Sequence, residues 1–455
     1  MEHRNRIPWW LLSACGALAF TVTVLTLEFW RLRDQDLPGD EMRMLRLVYR
    51  QVMQHHVDAH DGHELIRDAI VGMVRDLDDY STFVPPDKAK AFDTATTGEY
   101  QGIGITMVAR HVPITVLYPM PGGPAERAGL TVGDRILAVD GETLEGLTPD
   151  NVTAEARKRL LGMPGTSVKL MVESRAGERR ECLLERADVQ RQSVKWARLL
   201  EREPRIGYVY VGAFQQRTAS EFDAALGALE TEAGGKLDAL IVDVRFNLGG
   251  LLTESVLIAN RFLTEGNIVS LRARDDVEQS RIDVDPAKTT RPDLPLVLLV
   301  NEQSASASEV LAGALQDHHR ATLVGKRTYG KGVVQSIYRW EGLDFRLKLT
   351  TSRYYTPSGR NIGSKMRGPH DGKAAGGIAP DVEVDVAAAD LKALRDQLID
   401  DEVPTPYKAP ARELSADLDL PGETPPLGPD ADAQLARALA VARAALAPQP
   451  TGEPK

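Results

Sequence analysis

Residues 296–309 have the sequence LVLLVNEQSASASE, in which five apolar residues are followed at once by small and polar ones. The pattern predicts a buried strand, Leu296–Val300, then a turn and a helix through Gln316. The same order occurs upstream, where the apolar run Ala239–Val244 precedes Asn247-Leu248-Gly249-Gly250 and a predicted helix through Phe262. Strands that alternate with helices form parallel sheets covered on both faces. The sequence therefore predicts an α/β fold with a mainly parallel sheet, flanking helices, and polar turns at the carboxyl ends of its strands.

The rest of the chain differs in pattern from this core. Residues 36–93 have apolar side chains at helical spacing, and residues 94–187 have short alternating strands separated by glycine turns. The length of 455 residues exceeds that of one ordinary domain. We expect an N-terminal segment, a helical region, an inserted β domain, the α/β core, and a C-terminal part made of a helix, a proline-rich linker (403–429) and a terminal helix. The predicted bounds are 1–35, 36–93, 94–187, 188–387 and 388–455.

The first thirty residues have a membrane-targeting pattern. No charged residue occurs from Pro8 to Leu27, a run long enough to span a bilayer, and Arg4 and Arg6 precede it. Residues 8–30 are predicted to form a single N-terminal transmembrane helix that anchors the chain in the inner membrane of a bacterial cell envelope, with the later domains in the periplasm. A cleaved signal peptide is the alternative, because residues 17–19 (Ala-Leu-Ala) resemble a cleavage site. Residues 12–15 resemble a lipoprotein box, although it comes early in the apolar run.

Charge, cysteine content and histidine spacing argue against several other kinds of protein. The net charge of −10 argues against nucleic acid as a partner, because phosphate binding needs a basic surface. The two cysteines, Cys15 and Cys182, lie in different regions, so no disulfide is expected between them. The histidines at 55, 56, 60 and 63, with Glu64, have spacings that could bind a metal, but the aspartates and glycine among them are typical of a solvated loop. We expect no metal and no other cofactor.

Two polar segments at predicted strand ends carry the chemistry. Ser306 lies in the first, at the start of a helix, where free N–H groups and a positive potential favour an oxyanion. A serine nucleophile needs a base, and His318 and His319 lie about 18 Å down the same helix, too far to reach it. Lys331 lies in the second segment, Thr328–Gln335, between two glycines that would let its backbone approach another loop. A lysine whose pKa is lowered by burial can serve as the base.

The two segments resemble the signature of the C-terminal processing peptidases, or tail-specific proteases, whose motifs are S-A-S-A-S-E and T-F-G-K-G-x-V-Q. The resemblance implies a serine endopeptidase in which Ser306 is the nucleophile, Lys331 is the general base and Gln335 orients the lysine. The family's D-L-R-x-N-x-G-G motif matches residues 243–250, with valine in place of leucine. This match implies an oxyanion hole built from the backbone N–H of Ala307 and that of a loop glycine, either Gly249 or Gly250.

The inserted β domain resembles a PDZ domain in three ordered segments, at 100–105, 124–130 and 132–141. The first resembles the loop that binds a peptide carboxylate, while the peptide itself adds to the domain as a strand. The implied partners are protein and peptide substrates recognised through their C termini, and a homo-oligomer or an adaptor is also possible. The residues of this loop are Gly102, Ile103, Gly104 and Ile105.

One departure from the family concerns regulation. Leu161 stands before Gly162, where some relatives have an arginine that helps link PDZ ligand binding to the catalytic lysine. Activation by the PDZ domain is therefore less expected here. Two other functions are consistent with the sequence: an envelope scaffold that captures C termini without cutting, and another hydrolase, such as an esterase, on the same core. The PDZ domain favours a peptide over an ester, so we expect peptide hydrolysis through an acyl-enzyme, located in the cell envelope.

Overall fold

The structure is a computed structural model, and the residues it describes are 39–97, 99–108, 111–144, 146–190, 192–363, 376–387, 390–395, 407, 409–411, 413–414 and 432–447. The predicted membrane segment, residues 8–30, lies outside these ranges. Within them, no helix combines the length and the apolar character that crossing a bilayer requires. The chain divides into two compact units, residues 1–76 and residues 77–455.

The described part of the first unit consists of two helices, α1 (Gly39–His55) and α2 (Gly62–Arg75). This confirms the helical periodicity of the region. Asp61 caps α2 by accepting a hydrogen bond from the His63 N–H at 2.8 Å. The histidines considered as metal ligands lie at the end of α1, in the connecting loop and at the start of α2, and in the described residues no cluster of metal-ligating side chains occurs.

The second unit begins with β1 (Thr82–Val84) and α3 (Pro86–Thr97) and then enters the inserted domain. Five antiparallel strands form its sheet in the order β3-β4-β5-β7-β8, with β6 paired to β5, and β2 pairs separately with β9. Its apolar side chains form a core of their own, with buried residues from β4, β5, β7 and the longer helix. The elements are β2 (Glu99–Gly102), β3 (Ile105–Met107), β4 (Ile114–Pro119), α4 (Pro124–Arg127), β5 (Arg135–Val139), β6 (Glu142–Thr143), α5 (Val152–Leu160), β7 (Ser167–Glu173), β8 (Arg179–Glu185) and β9 (Ala187–Gln190).

The predicted α/β core is confirmed. Its sheet has the order β10-β11-β12-β15-β16-β19, and all neighbours are parallel except the antiparallel pair β10–β11. Helices α6, α7 and α8 cover one face and α9 covers the other. The elements of this sheet and its helices are β10 (Val194–Arg202), β11 (Arg205–Val211), α6 (Thr218–Glu232), β12 (Ala239–Asp243), α7 (Leu252–Asn260), β15 (Leu296–Val300), α8 (Ala307–Asp317), β16 (Thr322–Gly325), β19 (Val382–Glu383) and α9 (Ala433–Leu446).

A second, antiparallel sheet, which the sequence patterns do not predict, lies beside the core. Its order is β1-β18-β13-β14, and β17 pairs with β18 as a long hairpin. This hairpin is important for the site because β17 begins two residues after Lys331. The strands are β13 (Asn267–Arg272), β14 (Glu278–Asp283), β17 (Val333–Trp340) and β18 (Leu343–Tyr355), and two 3-10 turns occur at Arg274–Asp276 and Pro286–Lys288.

A buried arginine joins the C-terminal helix to the core. The Arg245 side chain, only 1% exposed, pairs with Asp243 at 2.6 Å and with Asp432 at 2.8 Å. Asp432 also caps α9 through the Leu435 N–H at 2.9 Å. Removing one member of a buried ion pair costs about 3–5 kcal/mol, because it leaves an uncompensated charge. The terminal helix, for which the sequence left docking open, is therefore part of the peptidase core.

Part of the predicted proline-rich linker also packs. The Tyr407 ring stacks on Tyr118 of β4, with ring centroids 6.3 Å apart, and its hydroxyl donates to the Glu126 carboxylate. Ala411 and Leu414 are buried beside the same surface of the inserted domain. These contacts show that the described residues between 407 and 414 are not a free linker, which corrects the prediction for that stretch.

Candidate active site

Ser306 lies in the turn between β15 and α8, at the carboxyl edge of the parallel sheet. Its backbone has φ +56° and ψ −113°, a conformation that residues other than glycine rarely adopt. Such strain costs about 1–3 kcal/mol and persists only where the surroundings determine the conformation. The Ala305 N–H donates to the Asn247 carbonyl at 3.0 Å, and the Ser308 hydroxyl donates to the same carbonyl at 2.9 Å. The turn is therefore held on both sides of the serine.

The glycine loop after β12 lies directly against this turn. A Cβ on Gly249 would lie 2.6 Å from the Ala305 carbonyl oxygen and 2.8 Å from the Ser306 Cβ. A Cβ on Gly250 would lie 2.0 Å from the Phe214 carbonyl oxygen. The two residues have φ angles of +97° and +143°. Close approach and backbone conformation both require glycine here, and the structure brings together the two motifs that contain Ser306 and these glycines.

The two glycines differ in what their N–H groups do. The Gly249 N–H donates to the Asn247 side-chain oxygen at 2.8 Å. Over the described ranges, the N–H groups of Gly250 and Ala307 donate no hydrogen bond. The Ala307 nitrogen lies 3.0 Å from the Cβ position of Gly249, so it borders the glycine loop. Two N–H groups beside the serine turn thus have no acceptor within the described chain.

The Glu309 carboxylate connects the serine turn to the lysine segment. One oxygen, Oε2, accepts the Ser306 N–H and the Lys331 N–H, each at 2.8 Å. The other, Oε1, accepts the Gly330 N–H at 2.7 Å and the Thr328 hydroxyl at 2.6 Å. The side chain has no exposed surface. Burial raises the pKa of the Glu309 carboxyl, and the four hydrogen bonds oppose that rise.

Lys331 is half-buried beside the serine turn. Burial lowers the pKa of its amine, the positive charge of Lys348 on β18 lowers it further, and Glu309 acts in the opposite direction. The Nζ atom lies 4.9 Å from the centre of the Tyr80 ring. Gly332 allows the close approach of its neighbouring chain, since a Cβ there would lie 2.3 Å from the Gly363 nitrogen. These surroundings therefore make the ammonium easier to deprotonate than it would be in water.

Ser306 and Lys331 are neighbours but are not hydrogen-bonded to each other within the described residues. The hydroxyl of Tyr354 lies close to the Ser306 side chain, which acts to lower the pKa of that phenol. That tyrosine, 2% exposed, donates to the Lys331 backbone carbonyl. Burial, and then the Glu309 carboxylate, raise the pKa of Tyr354 well above its usual range, so the phenol is neutral. Tyr354 thus lies beside the serine side chain and is hydrogen-bonded to the lysine backbone.

Gln335 lies on the strand that follows the lysine segment. It lies on β17 at a register shift, and its amide donates a long hydrogen bond of 3.5 Å to the Val333 carbonyl. No hydrogen bond joins it to Lys331 in the part of the chain that the structure describes. Its predicted orienting role stays a prediction.

Two backbone carbonyls of the predicted carboxylate-binding loop accept hydrogen bonds from the inserted domain. The Ile103 carbonyl accepts the Ala125 N–H at 2.8 Å, and the Gly104 carbonyl accepts the Met120 N–H at 2.9 Å. The Ile103 side chain is 2% exposed and belongs to the core of the inserted domain. Among the described residues the N–H groups of Ile103 and Gly104 donate no hydrogen bond. The carbonyls therefore fix the loop, while these two N–H groups have no acceptor among the described residues. Ile105, the fourth predicted residue, begins β3.

Three residues of this site have no role assigned by the sequence patterns: Glu309, Tyr354 and Tyr80. Glu309 has a local signal, since an acidic residue three positions after a helix-starting serine has the spacing of a capping box. The two tyrosines have none, because Tyr80 precedes the inserted domain and Tyr354 lies on the unpredicted second sheet. Only the fold brings them to the lysine.

Comparisons with known proteins agree with this architecture. A family model for Peptidase family S41 matches residues 205–384, and one for the PDZ domain matches residues 115–173. The carboxy-terminal-processing protease of Bartonella bacilliformis is 35% identical over 317 residues, which are 69% of this chain and 71% of that protein. A probable CtpA-like serine protease of Staphylococcus aureus is 32% identical over 385 residues, 83% of this chain and 73% of that protein.

Among solved structures, the Photosystem II D1 C-terminal processing protease is 27% identical, with a TM-score of 0.43, and the match covers 77% of this chain and 94% of that one. The matched domains define a serine peptidase that carries a PDZ domain. The two relatives are both proteases, and this chain covers more than two thirds of each, so they identify the family within the serine peptidases. The chain belongs to the C-terminal processing peptidases of family S41, which confirms the resemblance seen in its motifs.

Glu309→Gln tests the connection between the two segments. Each carboxylate oxygen accepts two donors, so an amide must place an NH2 group against one such pair. An unpaired buried donor costs about 1–3 kcal/mol, and we therefore expect kcat/KM for peptide hydrolysis to fall about 10- to 100-fold. Glu302→Gln, at an exposed position of the same turn, is the control and should keep its activity. Wild-type rates for a folded Glu309→Gln enzyme would show that the network does not position the site.

Proposed function

We propose that this peptidase cleaves exported or envelope proteins through a Ser306–Lys331 dyad and selects them by their C termini through its PDZ domain. The observation that carries the proposal is the Glu309 carboxylate, whose Oε2 accepts the backbone N–H groups of both residues. This shared acceptor keeps nucleophile and base together although they come from different loops. The partly buried amine of Lys331, with its lowered pKa, suits a general base.

The reaction proceeds through an acyl-enzyme. The neutral Lys331 amine accepts the Ser306 proton, and the serine oxygen attacks the scissile carbonyl. The resulting ammonium gives that proton to the leaving amine. The lysine then accepts a proton from water, which attacks the ester carbon, and the ammonium returns this proton to the serine oxygen as the ester bond breaks. Within the described residues no hydrogen bond joins the Ser306 hydroxyl to the Lys331 amine, so the two groups must approach each other before attack.

The oxyanion of the tetrahedral intermediate is assigned to the N–H groups of Ala307 and Gly250. Both lack an acceptor within the described residues, whereas the Gly249 N–H is already donated to Asn247. An oxyanion hole requires hydrogen-bond donors that are already in place before the reaction begins. Gly249 then serves close packing against Ser306 rather than charge stabilisation.

Substitution of the dyad is the direct test. Ser306→Ala and Lys331→Ala should each abolish peptide hydrolysis in the purified full chain, and Lys331→Arg should fail too, because a guanidinium stays protonated. In the wild type, kcat/KM should rise about tenfold per pH unit up to the Lys331 pKa and then level off, since only the neutral amine accepts a proton. Lys288→Ala, an exposed lysine of the same core, is the control. Activity in Lys331→Arg would mean that another group is the base.

The PDZ part of the proposal rests on the loop at 102–105. Its two N–H groups without acceptors and its glycines suit a peptide carboxylate, and the edge of β3 suits an added strand. Leu161, where some relatives have an arginine, lies against the loop: its Cδ2 is 3.1 Å from the Cβ position of Gly102. An apolar contact replaces the charged one, so we assign this loop to substrate selection rather than to activation.

A pair of peptides tests that assignment. Amidating the C terminus of a good substrate removes the carboxylate, and we expect kcat/KM to fall about tenfold or more through KM, since each lost charge-assisted hydrogen bond is worth about 1.5–3 kcal/mol. A Gly104→Val enzyme should no longer distinguish the two peptides, because Gly104 has φ +73° and a side chain there is strained. Equal rates for both peptides in the wild type would rule out selection by the carboxylate.

The location in the cell envelope rests on the apolar run at 8–30 and the arginines before it. A retained anchor places residues beyond 31 in the periplasm. A reporter that works only outside the cytoplasm, fused after residue 60, should be active, and a reporter that works only in the cytoplasm should be silent at the same position. The reverse pattern would exclude this location. Immunoblotting of the mature N terminus separates the retained anchor from the cleaved signal peptide.

A further inference from the structure

The segment that carries Tyr80 is fixed to the second sheet on both sides of the tyrosine. Asp78 accepts the N–H groups of Tyr80 at 2.7 Å and of Ser81 at 2.8 Å. Its carboxylate also accepts the Thr350 hydroxyl at 3.1 Å, and the Ser81 hydroxyl accepts the Thr350 N–H at 3.0 Å. Thr82 then begins β1, which pairs with β18. The Tyr80 backbone is therefore held in place beside the hairpin that follows the lysine.

The Tyr80 side chain presents its ring to Lys331. The Nζ atom lies 4.9 Å from the ring centre, within the range of a cation–π contact. The Tyr80 hydroxyl lies close to the side chain of Tyr329, two residues before the lysine, so the ring lies beside the same segment. Burial, together with the nearby Tyr329, raises the pKa of Tyr80 to about 12, so the ring is that of a neutral phenol.

The other ionisable groups around the amine come from α8 and β18. Glu309 on α8 favours the protonated amine, and Lys348 on β18 disfavours it. Tyr354, also on β18, is a neutral phenol whose hydroxyl donates to the lysine carbonyl. Within the described residues no hydrogen bond or ion pair reaches Nζ itself. The ring of Tyr80 is thus the group in direct electrostatic contact with the charged end of the lysine.

We propose that Tyr80 is a positioning residue for the lysine base: its ring face holds the amine and stabilises the ammonium that forms when Lys331 accepts the Ser306 proton. This role rests on the dyad proposed above. The face of an aromatic ring attracts a cation strongly and a neutral amine only weakly. The contact between Tyr80 and Lys331 therefore strengthens as the amine accepts the proton. It offsets part of the cost of forming a positive charge in a site where burial and Lys348 oppose it.

The test is the pH dependence of kcat/KM for the full chain with Leu or Phe at position 80, on one peptide substrate. Tyr80→Leu removes the ring and keeps an apolar side chain. The midpoint of the rising limb should move down by about 0.5–1 pH unit, and the high-pH plateau should fall about 3- to 30-fold. Tyr80→Phe keeps the ring face and should restore most of both quantities. If Tyr80→Leu does not fold, Tyr80→Met takes its place.

Tyr338→Leu, an exposed tyrosine of β17, is the matched control and should leave the profile unchanged. The proposal is overturned if the ring-free variant keeps the wild-type midpoint, even with a lower rate, because a purely structural residue would lower the rate without moving the midpoint. It is also overturned if the midpoint moves up, or if Phe behaves like Leu. These results can be told apart from a failure of the dyad proposal. If Lys331 is not the base, the Lys331→Ala enzyme will still hydrolyse the peptide.

Discussion

Four hydrogen-bond donors converge on the carboxylate of Glu309, a side chain without exposed surface. An ionised carboxylate is costly to bury unless its oxygens are satisfied, so this charge needs the N–H groups that surround it. Two of those belong to Ser306 and Lys331. The hydrogen bonds that stabilise the buried charge therefore also hold the serine turn and the lysine segment together. The rest of the site surrounds this shared carboxylate.

The turn that carries Ser306 is strained, and the core supplies the compensation. Asn247, in the loop after β12, accepts two hydrogen bonds from residues flanking the serine and shapes the glycine loop through its side chain. The preceding Arg245 ties that loop to the C-terminal helix through Asp432. A contact made nearly two hundred residues later in the chain thus supports the geometry at the serine, which is why the terminal helix belongs to the enzyme core.

Sequence patterns predicted the parts of the fold that depend on local order. The apolar run Leu296–Val300 and the turn after it specify a buried parallel strand with a helix start at its carboxyl end, and the glycines at 249 and 250 specify a close approach. The second sheet escaped prediction because its hairpin is only half-buried and lacks a clear alternation. The positions of Tyr80 and Tyr354 beside the site were not predicted either, because they depend on pairing between segments that are distant in the sequence. Gln335 shows the opposite case: the motif is present, but the register of β17 turns its amide to Val333 in this conformation.

The side-chain contacts indicate which atoms must move for attack. The backbones of Ser306 and Lys331 share one acceptor, so neither can shift without breaking the Glu309 network. The Ser306 side chain lies near the Tyr354 hydroxyl, and the Lys331 amine lies over the ring of Tyr80. Both contacts are made by side-chain ends and not by the backbone. In the proposed mechanism the shared Glu309 acceptor holds the two backbones, and the serine and lysine side chains reorient from their places beside the two tyrosines.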